Sequence, residues 1–358
     1  MTSKERVICA LDRKRTESVA VALTPWPAAL KKWQSQGHIG EFDDVNEHFN
    51  LDLRRGGQCI NSVADIDFKE VIIEESEETK LVLDGNGAKL RLHKLHDSTP
   101  EHVDFNVKNR ASWDELTKPH LINVNEQRIC FKEYQKAKEI AKRNDRFFYF
   151  ATMAPFEQMH RLCGHENLLM GMALDPQWVQ DMVLTYARFT INHLEVLFER
   201  CGKPDGMFFF EDMGFKHKPF MSPQMYKEIM FPGHKLLFDY SHSIGCKVIV
   251  HSCGYVEPLV GGLIEAGMDC LQAMEVKAGM DLPRLFDKFG DKISFFGGID
   301  VRALINNSYE QIDLEFEKVK YVIKNGGGYI LHTDHSEPPE IDYKTILYFL
   351  EKGRYLTR

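Results

Sequence analysis

The sequence predicts a single (β/α)8 barrel that spans residues 1–358, with an antiparallel β insertion at about residues 65–109 in the N-terminal third. Two observations predict the barrel. The chain has 358 residues, a size that α/β barrels commonly fill as one domain. From about residue 130 onward, short apolar runs alternate with long amphipathic stretches, as strands and helices do in a helix-covered parallel sheet. A change in this pattern between residues 65 and 109 predicts the insertion.

The barrel strands are predicted from continuous apolar runs, because a strand buried on both faces shows no alternation. Helical patterns separate these runs, for example at residues 175–202 and 222–245. One further strand is expected before residue 146, but no run there gives it a firm position. The runs predicted to form strands are residues 19–26, 146–153, 206–214, 247–254, 268–275, 293–300 and 329–336.

The insertion is predicted from polar and apolar residues that alternate on either side of the stretch DGNG at residues 84–87. Such alternation indicates half-buried antiparallel strands, and the DGNG stretch is a hairpin signal. Two interpretations are open. The insertion is a tolerated surface feature, as most insertions are, or it forms a rim of the site or an interface.

Composition and charge exclude several classes of protein. The net charge of −8 argues against nucleic acid as the main partner. No apolar run is long enough to span a bilayer and the opening residues do not form a signal peptide, so no membrane partner is expected. The eight cysteines are scattered and do not form a disulfide framework. A reducing cytoplasm is therefore the expected location.

Polar, reactive residues follow nearly every predicted strand. The active site of a (β/α)8 barrel lies at the C-terminal ends of its strands, so these residues are expected to converge on one rim. This convergence from five strands is the strongest functional signal in the sequence. The residues concerned are Glu211, Asp212, His251, Cys253, Glu275, Asp300, Asp334 and His335.

His251 and Cys253 are the most informative pair on this rim. Side chains alternate along a strand, so both can point to the barrel axis, and Gly254 lets the chain leave sharply. An imidazole nitrogen and a thiolate sulfur together suit zinc. The alternative is a buried structural thiol beside a hydrogen-bonded histidine. Glu275 and His335 on the same rim favour the metal.

Five stretches of the chain carry a resemblance to a known family: residues 1–11, 162–182, 222–254, 275–300 and 334–346. Together they resemble the uroporphyrinogen decarboxylase superfamily of (β/α)8 barrels, and more closely its corrinoid-linked, methylcobamide-type zinc methyltransferase branch. The resemblance covers nearly the whole chain. The motifs are specific to the superfamily and much less specific to one reaction.

The resemblance implies a set of zinc ligands. In the methyltransferase branch an H-x-C motif at a strand end supplies two ligands, which correspond to His251 and Cys253. A third ligand, usually cysteine, follows the last strand, where this chain has His335, with Asp334 as a neighbouring candidate. Glu275 lies where the similar barrel of cobalamin-independent methionine synthase has a glutamate, which implies a fourth or exchangeable ligand with a catalytic role.

The resemblance also implies an activity. A methyl group would move between a small substrate, either a methyl ether or a thiol, and a corrinoid cofactor carried by a partner protein. Glu211 or Asp212 is expected to handle a proton or orient the substrate, unless the pair caps the following helix. A set of His251, Cys253 and His335 would carry one negative charge instead of the usual two, which predicts a stronger Lewis acid and a preference for ethers.

Two other functions compete with this one. True decarboxylases of the superfamily open with an arginine-rich motif that grips the carboxylates of a tetrapyrrole, whereas this chain has Lys31 and Lys32 after its first predicted strand. The nearest arginine pair is Arg54 and Arg55. Lysine is a poor substitute for the planar fork of arginine, so the decarboxylase interpretation is the weaker one. The third hypothesis is a non-catalytic member that binds a corrinoid or a substrate.

Overall fold

The structure is a computed structural model that describes residues 1–57, 59–95 and 100–357. Eight strands form one sheet: β1 (Ala20–Val21), β2 (Leu53–Arg55), β3 (Phe147–Met153), β4 (Gly206–Phe210), β5 (Lys247–Ser252), β6 (Cys270–Ala273), β7 (Ser294–Gly297) and β8 (Tyr329–Leu331). Every pairing in the sheet is parallel, in the order β1-β8-β7-β6-β5-β4-β3-β2. Asp52 links the two ends of the sheet, because its N–H donates to the carbonyl oxygen of Val21 at 3.0 Å. This nearly closed α/β barrel confirms the predicted fold class.

Helices cover the outside of the barrel, as a parallel sheet requires. Several begin at a capping residue, for example where Asp175 accepts the N–H of Trp178. The helices are Ser3–Leu11, Pro27–Ser35, Val45–His48, Arg110–Leu116, Lys118–Leu121, Phe131–Arg143, Pro155–Leu174, Pro176–Cys201, Pro223–Met225, Phe231–Ser243, Glu257–Ala266, Leu282–Phe289, Val301–Ile305, Tyr309–Lys324 and Tyr343–Arg354, with a π-turn at Tyr226–Met230 and 3₁₀ turns at Glu126–Arg128 and Val276–Ala278.

Alternation along the strands divides the core into two parts. Phe208 and Ile249 belong to a cluster inside the barrel. Phe209 and Val250, one residue further along the same strands, belong to the larger cluster between barrel and helices. The apolar runs are continuous because both faces of each strand are buried, and this parity decides which later residues reach the inside of the barrel.

The eighth strand, which the sequence leaves without a firm position, is β2. It is only three residues long, and its sequence Leu53-Arg54-Arg55 contains two arginines instead of an apolar run. Backbone pairing with β3 holds it in the sheet, with Leu53 opposite Phe147. A strand of this length and charge carries no hydrophobic pattern that could reveal it.

The insertion is a four-stranded antiparallel sheet, and this part of the fold prediction is confirmed. Its strands are Val71–Glu75, Thr79–Leu83, Ala88–His93 and Glu101–Phe105, paired in chain order. The sheet docks on the helix Pro155–Leu174. That helix is broken at Gly164, whose φ is 71°, and a Cβ there would lie 2.3 Å from the Phe105 ring.

Two further expectations concern the whole chain. All eight cysteines are free thiols, so the prediction that they do not form a disulfide framework is confirmed. Among the helices of the described residues, none combines the length and the apolar character needed to cross a bilayer.

Candidate active site

A cavity of about 400 Å³ opens at the C-terminal ends of the barrel strands. Aromatic and aliphatic side chains make up most of its wall, and a few polar groups converge on it, which is typical of small-molecule sites. The wall residues that lie on the strands or within four residues of their C-terminal ends are Ala22, Leu23, Thr24, Pro25, Leu53, Arg55, Tyr149, Phe208, Phe210, His251, Cys253, Gln272, Ala273, Phe296, His332, Asp334 and His335.

Asp212, His251 and Cys253 form a group whose donor atoms could hold a metal ion, and these three residues are called the metal group below. Nε2 of His251 lies 3.3 Å from Sγ of Cys253 and 3.4 Å from Oδ1 of Asp212. All three side chains have the parity of Phe208 and Ile249, which point inside the barrel. The ends of β4 and β5 therefore deliver one carboxylate, one imidazole and one thiol to the same point.

These distances fit zinc. With Zn–S of about 2.3 Å and Zn–N and Zn–O of about 2.0 Å, tetrahedral ligands lie roughly 3.5 Å apart for sulfur and nitrogen and roughly 3.3 Å apart for nitrogen and oxygen. The observed separations of 3.3 Å and 3.4 Å are close to both values. Sulfur, nitrogen and carboxylate oxygen are also the donor types that zinc accepts.

Gln272 on β6 fixes the protonation of His251. Its side-chain oxygen forms a short hydrogen bond with Nδ1 of His251, and the two residues are also paired in the sheet. An amide oxygen can only accept, so Nδ1 carries a proton, and in the neutral ring Nε2 is the nitrogen left to bind a metal beside Cys253 and Asp212. This is the supporting bond that a metal-binding histidine normally makes.

The electrostatics of the site favour a bound cation. Burial raises the pKa of the Cys253 thiol well above its usual value, and the nearby carboxylates of Asp212 and Glu275 raise it further. A thiolate at this place is therefore unfavourable until a positive charge compensates it. A zinc ion would supply that charge and deprotonate the thiol.

Two glycines lock the ends of β4 and β5 together. Gly254 has a φ of 77°, and a Cβ there would lie 2.3 Å from the carbonyl carbon of Gly214. Only glycine allows both this conformation and this contact between two backbones. The N–H of Cys253 also donates to Oδ1 of Asp212 at 2.8 Å. These contacts position Asp212 and Cys253 before any metal binds.

Glu211, the neighbour of Asp212, faces the opposite way. Its carboxylate accepts the N–H groups of Phe156 at 3.0 Å and Glu157 at 3.1 Å, in the first turn of the helix Pro155–Leu174. His234 contacts the same carboxylate at 2.5 Å, and Tyr226 contacts His234 at 3.0 Å. The sequence left open whether Glu211 and Asp212 serve chemistry or cap a helix. The structure gives Asp212 a place in the metal group and Glu211 contacts typical of a helix cap, at the helix after β3 instead of the one that follows.

Glu275 lies beside the metal group but is not brought into it. One of its carboxylate oxygens accepts the N–H of Gly254 at 2.8 Å, and the group of close donor atoms among the described residues does not include it. Its charge still acts on the pKa of Cys253. Its predicted role as an exchangeable ligand or catalytic group stays a prediction.

The residues after β8 are also outside the metal group. Both carboxylate oxygens of Asp334 accept backbone N–H groups, from Val276 at 2.8 Å and Val301 at 2.9 Å. His335 is exposed, and its ring centroid lies 6.4 Å from that of Trp26. Both residues line the cavity, but the structure does not place either of them next to Cys253 as a third ligand.

No sequence pattern pointed to Gln272 or His332, and Arg55 stood out only as part of an arginine pair. Gln272 could have been found from its place two residues after Cys270 on a predicted strand, with the same parity. His332 contacts Thr24 at 3.0 Å and so links the first and last strands. Arg55 lies on the one strand without an apolar run, so no pattern indicated that it faces the cavity.

Comparisons with known proteins agree with this architecture. A methyltransferase from Methanosarcina mazei has the same fold, with a TM-score of 0.69 and 13% sequence identity over 98% of this chain and 98% of that chain. No curated protein sequence matches the chain significantly. The model of the uroporphyrinogen decarboxylase (URO-D) family matches residues 82–355, which is well over half of the sequence. The chain therefore belongs to the uroporphyrinogen decarboxylase family.

Proposed function

We propose that this protein is a zinc-dependent methyltransferase that moves a methyl group between a small substrate and a corrinoid cofactor carried by a partner protein. The observation that carries the proposal is the convergence of Asp212 with the cavity residues His251 and Cys253, with separations of 3.3 Å and 3.4 Å that suit zinc. The methyltransferase fold of the Methanosarcina mazei protein is in keeping with it.

Three protein ligands are the number found in catalytic zinc sites, which keep the fourth position for water or substrate. Asp212, His251 and Cys253 would hold the ion, and Gln272 would orient His251. A zinc ion at this place supplies Lewis-acid chemistry, which lowers the pKa of a bound thiol or polarises the oxygen of a methyl ether.

The cavity wall excludes water and orients the imidazole of His251 and the substrate. The ring of Phe210 packs against that of His251 with centroids 5.3 Å apart, and Phe208 stacks on the same imidazole at 6.1 Å. An apolar wall of this kind shelters the reacting methyl group and strengthens nearby charge interactions. The corrinoid would approach at the C-terminal mouth of the barrel, where the cavity opens.

The charge of this ligand set changes the expected substrate preference. Asp212 and a Cys253 thiolate carry two negative charges, as the usual set with two cysteines does. The single negative charge expected from a set with His335 was the reason to favour methyl ethers over thiols. With Asp212 as the third ligand that reason no longer applies, and both substrate types remain in the proposal.

A tetrapyrrole decarboxylase is the competing function within the same family. A cavity of about 400 Å³ is at the lower end of the range for drug-sized ligands. Among the described residues of its wall, Arg55 is the only arginine or lysine. One guanidinium is a poor match for a substrate with many carboxylates, and the acidic group formed by Asp212 and Glu275 would repel it.

The test combines metal analysis with two transfer assays. The purified protein is expected to contain roughly one zinc per chain, as a single group of three protein ligands implies. It should also transfer methyl groups from methylcobalamin to small thiols or from methyl ethers to cob(I)alamin. Zinc without either transfer would favour a non-catalytic member. Release of carboxyl groups from uroporphyrinogen by a zinc-free protein would contradict the proposal.

A further inference from the structure

Arg55 presents an unpaired cation to the cavity. Its Nε is buried and has no hydrogen-bond partner, and no ion pair of its guanidinium occurs within the described part of the chain. The guanidinium carbon lies 5.1 Å from the centroid of the Phe210 ring, so the group is held against an aromatic face. A partly buried guanidinium without a carboxylate is costly, because it has lost water without gaining an acceptor.

Its neighbour Arg54 shows what the fold does with an arginine that has a structural task. Arg54 points to the other face of β2 and forms an ion pair with Asp44. Arg146, another buried arginine, pairs with Glu47 at 2.9 Å. Arg55 differs from both because the side that faces it is the cavity instead of a carboxylate of the chain.

The charge of Arg55 acts inside the cavity. Burial raises the pKa of Tyr149, another wall residue, and Arg55 opposes that rise. Phe210 contacts both Arg55 and His251, at 5.1 Å and 5.3 Å from its ring centroid. The guanidinium and the imidazole therefore lie no further apart than the sum of these two distances, which is within the reach of one small molecule.

We propose that Arg55 is the anion-binding residue of this cavity and that the substrate is a small molecule with an apolar body and one carboxylate group. The carboxylate pairs with the fork of Arg55, and the body packs on Phe210 and Phe208. The opposite end of the substrate then lies at Asp212, His251 and Cys253. Which group reacts there rests on the proposed function, but the carboxylate subsite does not depend on it.

The experiment measures binding by titration calorimetry with benzoate and butanoate, and with benzamide and butanamide as uncharged counterparts of similar shape. Both carboxylates should bind the purified protein and the amides much more weakly. Arg55→Met should bind the carboxylates roughly 10- to 100-fold more weakly, since a hydrogen bond to a charged group is lost. The carboxylate affinity of Arg55→Lys should lie between those of the unsubstituted protein and Arg55→Met, because lysine keeps the positive charge but lacks the planar fork of the guanidinium. Arg55→Gln provides a second neutral variant if Arg55→Met does not fold.

The matched control is Arg54→Met, which removes a neighbouring arginine that points away from the cavity and should leave carboxylate binding unchanged. The proposal would be overturned if neither carboxylate bound the purified protein, or if both neutral Arg55 variants bound the carboxylates as tightly as the unsubstituted protein does. Zinc content is measured on the same samples. Carboxylate binding that depends on Arg55 in a protein without zinc would sink the proposed function and leave the subsite standing.

Discussion

Two parts of the rim look alike in sequence and differ in the structure. Asp212, His251 and Cys253 lie at the ends of β4 and β5, and Asp334 and His335 follow β8. The first set meets at one point, with Nε2 of His251 3.3 Å from the sulfur of Cys253. In the second set the carboxylate of Asp334 accepts two backbone N–H groups, and the side chain of His335 is exposed.

The difference follows from the contacts that each set makes. Asp212 and Cys253 lie against Nε2 of His251. Asp334 has the parity of Ile330, which points inside the barrel, and Thr333 before it still pairs with Ile299. Both carboxylate oxygens of Asp334 nevertheless accept backbone N–H groups, so parity alone does not decide which rim residues can bind a metal. Five predictions, in order of decreasing effect, test whether the chemistry lies with the first set alone.

The largest effect is expected from the double variant His251→Ala with Cys253→Ala. Removing a neutral nitrogen and a sulfur leaves only Asp212 of the group, and one carboxylate cannot hold zinc against water. Metal analysis should find essentially no zinc, and methyl transfer should disappear. Full zinc content in the double variant would show that the ion binds elsewhere.

Adjacent carboxylates should respond in opposite ways. Glu211→Gln should lower the free energy of unfolding by about 2–3 kcal/mol, because it breaks a buried contact with His234, yet zinc content should stay full. Asp212→Asn should weaken zinc binding by about 100-fold or more, with little effect on the metal-free fold. Chemical denaturation and competition with a chelator measure the two effects. Loss of zinc from Glu211→Gln at a temperature where the variant is folded would contradict the assignment of metal binding to Asp212 and of a structural role to Glu211.

Asp334 should make its own contribution to pH dependence. Burial raises the pKa of its carboxyl to about 6, from 3.8 in the unfolded chain. The folded state then binds a proton more tightly, so this contribution to stability is present below pH 4 and is lost as the pH rises to about 6. The loss is at most about 3 kcal/mol.

Asp334→Asn lacks this titration. The unfolding free energy of the unsubstituted protein, measured relative to that of this variant, should therefore fall from pH 4 to pH 6. Zinc content at pH 7 should be the same in both. A constant difference across this pH range would mean that Asp334 is not buried as an acid.

A smaller effect is expected at Gln272, which acts on the metal only through His251. If zinc binds as proposed, Gln272→Leu should lower zinc affinity about 10- to 100-fold, as the loss of a supporting hydrogen bond does in known zinc sites. Gln272→Glu is the matched control, because it keeps an acceptor for Nδ1 of His251. An affinity for zinc that is unchanged in Gln272→Leu would contradict the tautomer assigned to His251.

The smallest effect is expected at His335. His335→Ala should change the free energy of unfolding by less than about 0.5 kcal/mol, since the side chain is exposed, and zinc content should not change. Loss of zinc in this variant would show that His335 is a ligand. A ligand set with a neutral histidine in place of an anion would again favour methyl ethers as substrates.

Much of the barrel could be predicted because its physical signal is strong. Strands buried on both faces gave continuous apolar runs, such as Phe208 to Phe210, and the pair His251 and Cys253 could be placed by parity alone. β2 could not be placed, because Leu53-Arg54-Arg55 is held by pairing with β3 instead of by its own hydrophobicity. The insertion was expected around one hairpin signal, and the turn between its first two strands, at residues 76–78, has no comparable stretch.

The sequence could not show which of Glu211 and Asp212 points inside the barrel, for a different reason. Both faces of β4 are apolar, so the sequence does not say whether Phe208 or Phe209 points inside the barrel. Only the packing of Phe209 against the helices settles the parity, and Asp212 follows from it. The contacts of Asp334 with Val276 and Val301 join residues far apart in the chain and leave no local pattern.

The raised pKa of the Cys253 thiol also affects how this residue reacts in the metal-free protein. The species that peroxide and alkylating agents attack is the thiolate, and a thiol kept protonated by burial and by neighbouring carboxylates reacts slowly with them. If the proposed zinc site is right, newly made chains would wait for the metal without chemical damage at Cys253. Binding of the ion would then convert this inert sulfur into an anion, so that assembly and activation of the site would be one event.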